Sequence, residues 1–110
     1  MVYKVVITSA ARRRLESFID YTANTLHNKE AARAIRDDAK KTKDMLSIAA
    51  KSLPICSDPL LAKYEYRKIP FIRHDFVMIY RIEDNLVIVD GMFHQLQDYE
   101  SLFTNEMNLS

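Results

Sequence analysis

The sequence has little of what makes a chain flexible, cross-linked or metal-binding. Its 110 residues include one glycine, three prolines, one cysteine and no tryptophan. The lone Cys56 cannot form an internal disulfide, which fits a reducing compartment. There is no C-x-x-C pair to hold zinc, and His27, His74 and His94 lie far apart with no H-x-x-x-H spacing, so neither a metal nor another cofactor is expected. A single Gly91, set in a strand-like run, cannot build a glycine-rich phosphate loop, and serine hydrolase signatures are missing. Flexible linkers and internal repeats are absent as well. No apolar run approaches the roughly 20 residues that a bilayer span requires. The opening Met1-Val2-Tyr3-Lys4 has neither an apolar signal core nor a small-residue cleavage site. These absences lead us to expect a soluble, cytoplasmic protein with no membrane partner.

What is present is an ordinary globular balance of 48% hydrophobic and 28% charged residues. A chain of this length has one core, and a bound partner would add noticeably to its stability. The net charge is +1 but unevenly spread. Residues 1–51 carry 11 Lys and Arg against 6 Asp and Glu, whereas residues 52–110 carry 5 against 9. A protein that lives on phosphate backbones is usually far more basic overall.

Hydrophobic periodicity supplies the elements. Val2 to Ile7 is β-branched and aromatic and reads as a strand. With Ser9 as N-cap, Ala11, Leu15, Phe18, Ile19, Thr22 and Leu26 form one apolar stripe of a helix over about residues 10–26. Asn28 is a second cap, followed by the stripe Ala32, Ile35, Ala39, Thr42, Leu46 and Ala49. The short turn between them makes an antiparallel helical hairpin. Pro54 and Pro59 bracket a loop. Three strand-like runs follow: Tyr64 to Phe71, Phe76 to Ile82, and Leu86 to Phe93. Glu83-Asp84-Asn85 forms a tight turn between the last two. The last run barely alternates, as in a central strand buried on both faces. A short helix is expected around Tyr99 to Phe103, leaving residues 104–110 as a polar tail that frays. The expected fold is α+β, in the order β-α-α-β-β-β, with a sheet curved over the hairpin.

Few side chains suggest chemistry. Arg12-Arg13-Arg14 reads as a solvated helix face, since successive residues point in different directions. Strand alternation puts Arg67 and Ile69 on one face of the sheet and Tyr66 and Lys68 on the other. Arg67, Lys68, Arg73 and Arg81 lie on or near the strands, where outward side chains could line a concave sheet face, and Arg67 could neutralise a phosphate or hold a carboxylate. His94, at the end of the last strand, is the one plausible general acid or base, and Tyr99 could share that end of the sheet.

The order and spacing of several segments carry a resemblance. These are the Tyr3-Lys4-Val5 strand, Tyr66-Arg67-Lys68-Ile69, Phe76-Val77-Met78-Ile79-Tyr80-Arg81-Ile82, and the ending Phe93-His94-Gln95-Leu96-Gln97-Asp98-Tyr99-Glu100. Together they make residues 2–103 resemble the RelE/ParE toxin superfamily of type II toxin–antitoxin systems. The resemblance implies a single toxin domain over residues 1–103 and a cognate antitoxin, with a toxin–antitoxin hetero-oligomer. Arg67, Arg73 and Arg81 are the expected antitoxin contacts. Two activities compete within the superfamily. RelE-like members cut messenger RNA on the ribosome, and ParE-like members poison DNA gyrase. For an RNase reading the candidate set is His94, Tyr99 and Arg67. The RNases typically place arginine just ahead of the aliphatic-aliphatic-Tyr triplet, but Val77 stands before Met78-Ile79-Tyr80. Val77 cannot stabilise charge on a phosphorane. The resemblance therefore favours a ParE-like toxin, which is not itself an enzyme and would use its helical hairpin and C-terminal segment on gyrase. A non-catalytic partner-binding module is the remaining reading.

Overall fold

The computed structural model describes residues 2–107. In chain order they form β1 (Lys4–Ile7), α1 (Ser9–Asp20), α2 (Lys29–Ala49), α3 (Pro59–Lys63), β2 (Arg67–Pro70), β3 (Phe76–Glu83), β4 (Leu86–His94) and α4 (Tyr99–Met107). A four-stranded sheet has the order β1-β4-β3-β2. Its first pair, β1 and β4, is parallel, and the other two pairs are antiparallel. The expected α+β order is observed, with the short α3 added before β2. Among the described residues no helix is long and apolar enough to cross a membrane.

Local chemistry explains where the elements begin and end. Thr8, not Ser9, caps α1, its hydroxyl accepting from the Ala11 amide at 3.3 Å. Asn28 caps α2 as expected, accepting from Ala31 at 2.9 Å. The first helix does not run unbroken to Leu26. It widens into a π-helical turn at Tyr21–Thr25, where the Leu26 amide reaches back to Tyr21. The extra residue in that turn rotates the stripe, so Ala11, Leu15 and Ile19 are buried while Leu26 is 56% exposed. The predicted strand from Tyr64 starts late because Tyr64 closes α3 and Glu65 turns with a φ of 58°. The Pro54–Pro59 loop ends in α3 because Asp58 caps it, accepting from Leu60 and Leu61, with Pro59 in the first helical position. At the C-terminus, α4 continues through Met107, past the end expected at Phe103. The segment 104–107, read from sequence as fraying tail, is therefore helical, and 108–110 lie outside the described residues.

Both faces of the sheet are covered. On one face the α1–α2 hairpin packs Leu15, Ile19, Ile35 and Leu46 against Met78, Tyr80, Val87, Val89 and Met92. Phe18 stacks on Phe76 at 4.6 Å. Each such aliphatic or aromatic side chain contributes about 1.5–3 kcal/mol on burial. On the other face α3 and α4 bring Leu61 and Phe103 onto Val77, Ile79 and Phe93, with Cys56 and Tyr66 completing the cluster. Burial pushes the Cys56 thiol up to about 12. The central β4 is thus buried from both sides, as its lack of alternation predicts.

The β3–β4 ladder has a bulge. Ile79 pairs with Gly91 and Tyr80 with Val89, which leaves Asp90 as the extra residue. The bulge brings Gly91 under α4, where a Cβ would lie 2.9 Å from Phe103 Cδ1 and 3.0 Å from Phe93 Cε2. Any side chain here displaces the helix. We expect Gly91→Ala to lower stability by about 1–3 kcal/mol in urea denaturation. Trimming Phe103 to Leu in the same chain should make that loss smaller than in the single variant. Strictly additive losses would mean that the contact does not limit position 91.

Candidate functional site

The residues nominated from sequence are spread over both faces of the sheet. Arg67 pairs in register with Tyr80 on the hairpin face and donates to the Leu53 carbonyl at 2.5 Å. His94 also faces the hairpin, its ring edge-on to Phe76 with centroids 5.3 Å apart. Its Nδ1 accepts from the Leu96 amide and its own amide donates to Gln97, so the side chain closes the turn after β4. Tyr99 lies under the opposite face, packed against the Phe103 cluster, with its hydroxyl accepting from Lys68 at 3.2 Å. No contact joins His94, Tyr99 and Arg67 to one another. The alternation read from sequence holds, because Ile69 joins the hairpin core and Tyr66 the α4 core.

Arg81 is engaged within the fold. Its Nε donates to Asp90 at 2.9 Å, and it also pairs with Glu83. Burial opposes its charge, but the Asp90 carboxylate outweighs that and raises the guanidinium pKa. Arg73 is different, since it is exposed in the loop between β2 and β3 and its guanidinium has no partner among the described residues. Of the arginine run, Arg12 and Arg13 face solvent. Arg14 does not follow the solvated-face reading, for its guanidinium lies 4.5 Å from the Phe93 ring centre and pairs with Glu106 of α4.

Two arrangements were missed from sequence. Lys68 and Glu100 form a partly buried pair at 3.0 Å, and Glu100 also accepts from the Asp58 amide at 2.7 Å, joining α4 to β2 and the α3 cap. The lysine sits on the strand face that alternation assigns it, but its partner is 32 residues away. The second centres on Asp38 in α2, whose side chain is 2% exposed. Its oxygens accept from the amides of Ile72, Arg73 and His74 at 3.1, 2.9 and 2.8 Å, and from His74 Nδ1 at 2.6 Å. The one available signal was a charged residue inside the apolar stripe between Ile35 and Ala39. Burial alone would raise the Asp38 pKa, yet the His74 and backbone hydrogen bonds overcome it and hold the carboxyl below its ordinary value.

Because the native pKa is depressed, the Asp38 contribution is complete above the unfolded carboxyl value of about 3.9. It is lost as pH falls through the lower native value. We expect Asp38→Asn to cost about 2–3 kcal/mol at neutral pH. The gap between variant and parent should narrow under acid urea titration. A gap that stays constant below pH 4 would mean that the carboxylate charge plays no part.

The sheet edges differ in a way that bears on partners. On β2 the edge is closed by the preceding loop, through Cys56 N to Tyr66 O and Lys68 N to Pro54 O. On β1 the ladder directs Lys4 and Thr8 inward, to Asn85 O and Val89 O. Tyr3 points outward and is taken up by the Ser47 carbonyl at the end of α2. The amides of Val5 and Ile7, also outward by alternation, have no partner among the described residues. An open edge of this kind is a template for an added strand.

The family described as ParE toxin of type II toxin-antitoxin system, parDE, matches residues 5–99. Among solved structures, a chain of the "Chromosomal ParDE TA system from P. aeruginosa" superposes with a TM-score of 0.67 at 17% identity, covering 84% of this chain and 96% of that one. No curated protein sequence matches significantly. The chain belongs to the ParE toxin family of type II toxin–antitoxin systems.

Proposed function

We propose that this toxin arrests growth by poisoning DNA gyrase, and that a cognate antitoxin neutralises it by adding a strand to β1. The observation that carries the target reading is Val77. It lies where the RNase relatives place arginine, and it is buried in the core beneath α4 with Ile79, Phe93 and Phe103. A phosphate cannot reach that position, and no cation stands there to meet one. His94 is occupied in closing a turn, and Tyr99 lies on the other face of the sheet. This dispersal favours gyrase over messenger RNA as target, with the hairpin and C-terminal segment as the surfaces offered to it. A gyrase target places the toxin in the cytoplasm.

Purified toxin should therefore trap cleaved DNA in a gyrase supercoiling assay and leave messenger intact in a translation assay, with His94→Ala as active as the parent. Codon-phased messenger cuts that vanish in His94→Ala would instead establish the RNase reading.

For the antitoxin, the open amides of Val5 and Ile7 supply backbone donors, and Arg73 is the expected basic contact still free to meet an acidic side chain. Arg67 and Arg81 would have to exchange an existing partner to do so. Proline at an outward edge position removes a donor without breaking the internal ladder. We expect Val5→Pro to weaken antitoxin binding by about tenfold, one lost backbone hydrogen bond plus a poorer strand fit, while circular dichroism stays unchanged. Unaltered affinity would move the antitoxin away from this edge.

A further inference from the structure

The Asp38–His74 arrangement goes beyond what anchoring a loop requires. Three backbone amides from Ile72, Arg73 and His74 already fasten the β2–β3 connection to α2 through Asp38. The imidazole adds a fourth bond, Nδ1 to Oδ2 at 2.6 Å. Asp38 is ionised and can only accept, so Nδ1 carries the proton. Nε2 is left as the free nitrogen of a side chain that is 28% exposed and lines a cavity of about 120 Å³. Lys41 from α2 and Arg73 from the loop line the same cavity.

Among the described residues neither of these cations has a carboxylate partner, which they share with Arg12 and Arg13, whereas Arg14, Arg36, Lys68 and Arg81 are ion-paired within the fold. Asp37 also lines the cavity but closes no ion pair with Lys41 or Arg73. The charged and titratable groups facing His74 are thus Asp37, Asp38 and Lys41 from α2 and Arg73 from its own loop.

We propose that this cavity is a binding site for a phosphate group, held by Lys41, Arg73 and His74 Nε2, with Asp38 positioning the imidazole. Lys41, Arg73 and, when the ring carries a second proton, His74 Nε2–H are three donors of different geometry on two elements, and these suit a tetrahedral anion, whose oxygens point in separate directions. A planar carboxylate would be served by the arginine fork alone. The buried Asp38 fixes the ring orientation, so His74 meets the ligand with little rotamer freedom left to lose. The site lies apart from the β1 edge but shares Arg73 with the proposed antitoxin contact and Lys41 with the hairpin proposed to meet gyrase, so it is tested on the free chain, with neither partner present. The phosphate could belong to a small molecule or to a polynucleotide backbone.

The test is a titration of the isotope-labelled full chain with inorganic phosphate, followed by NMR. The expected result is a saturable set of shifts confined to Lys41, the 72–74 amides and the His74 ring. Affinity should fall by about tenfold in Lys41→Ala and in Arg73→Ala, both exposed positions whose loss leaves the fold intact. His74→Gln should weaken binding further while keeping the backbone anchors. A short DNA duplex that produces the same shifts at lower concentration would assign the phosphate to a polynucleotide, whereas shifts with phosphate alone would assign it to a small molecule. Any of three results overturns the proposal: no saturable shifts, shifts equally weakened by Arg12→Ala on α1, or acetate matching phosphate at equal ionic strength.

Discussion

The whole architecture depends on β4 being paired along both edges and covered on both faces. A strand in that position must be apolar throughout, and Leu86 to Phe93 is interrupted only by Asp90 and Gly91. Those two interruptions coincide with the bulge. Asp90 is satisfied there by Arg81 and the Tyr66 hydroxyl, and Gly91 makes room for Phe103. One irregularity in one ladder thereby seats α4, and α4 in turn determines what the second face of the sheet can do.

The seating of α4 closes the second face of the sheet. Val77, Ile79 and Phe93 form the floor of a closed core, and Arg14 and Lys68 fasten the helix from opposite sides through Glu106 and Glu100. The buried Tyr80, on the other face, donates to the Ala50 carbonyl at 2.6 Å and ties the centre of the sheet to the end of α2. Arg67, Arg81, His94 and Tyr99, nominated from sequence, each have partners within the fold. What remains accessible includes backbone at β1 and unpaired cations on α1, α2 and the β2–β3 loop.

Much of this was legible in the sequence because its signals are local or periodic. The two hairpin stripes, the Asn28 cap, the Asp84 turn and the two-faced burial of β4 all follow from spacing along the chain. So did the alternation that puts Arg67 opposite Lys68. The departures arise where structure depends on geometry or on distant partners. No residue type marks the π-helical turn that sends Leu26 outward. The α4 extension to Met107 relies on Glu106 finding Arg14, 92 residues earlier. Asp38 could be flagged as a charge in an apolar stripe, but its partners at 72–74 come from another element. Of the nominated site, Arg73 is free, Arg67, Arg81 and His94 are bound within the fold, and the parallel pairing that opens the β1 edge has no local signature at all.

That open edge has a consequence for variation. Backbone amides do not discriminate among strands able to fill them. A partner that took the proposed seat on β1 would meet main chain at Val5 and Ile7, where side-chain mutation in the toxin gives little escape.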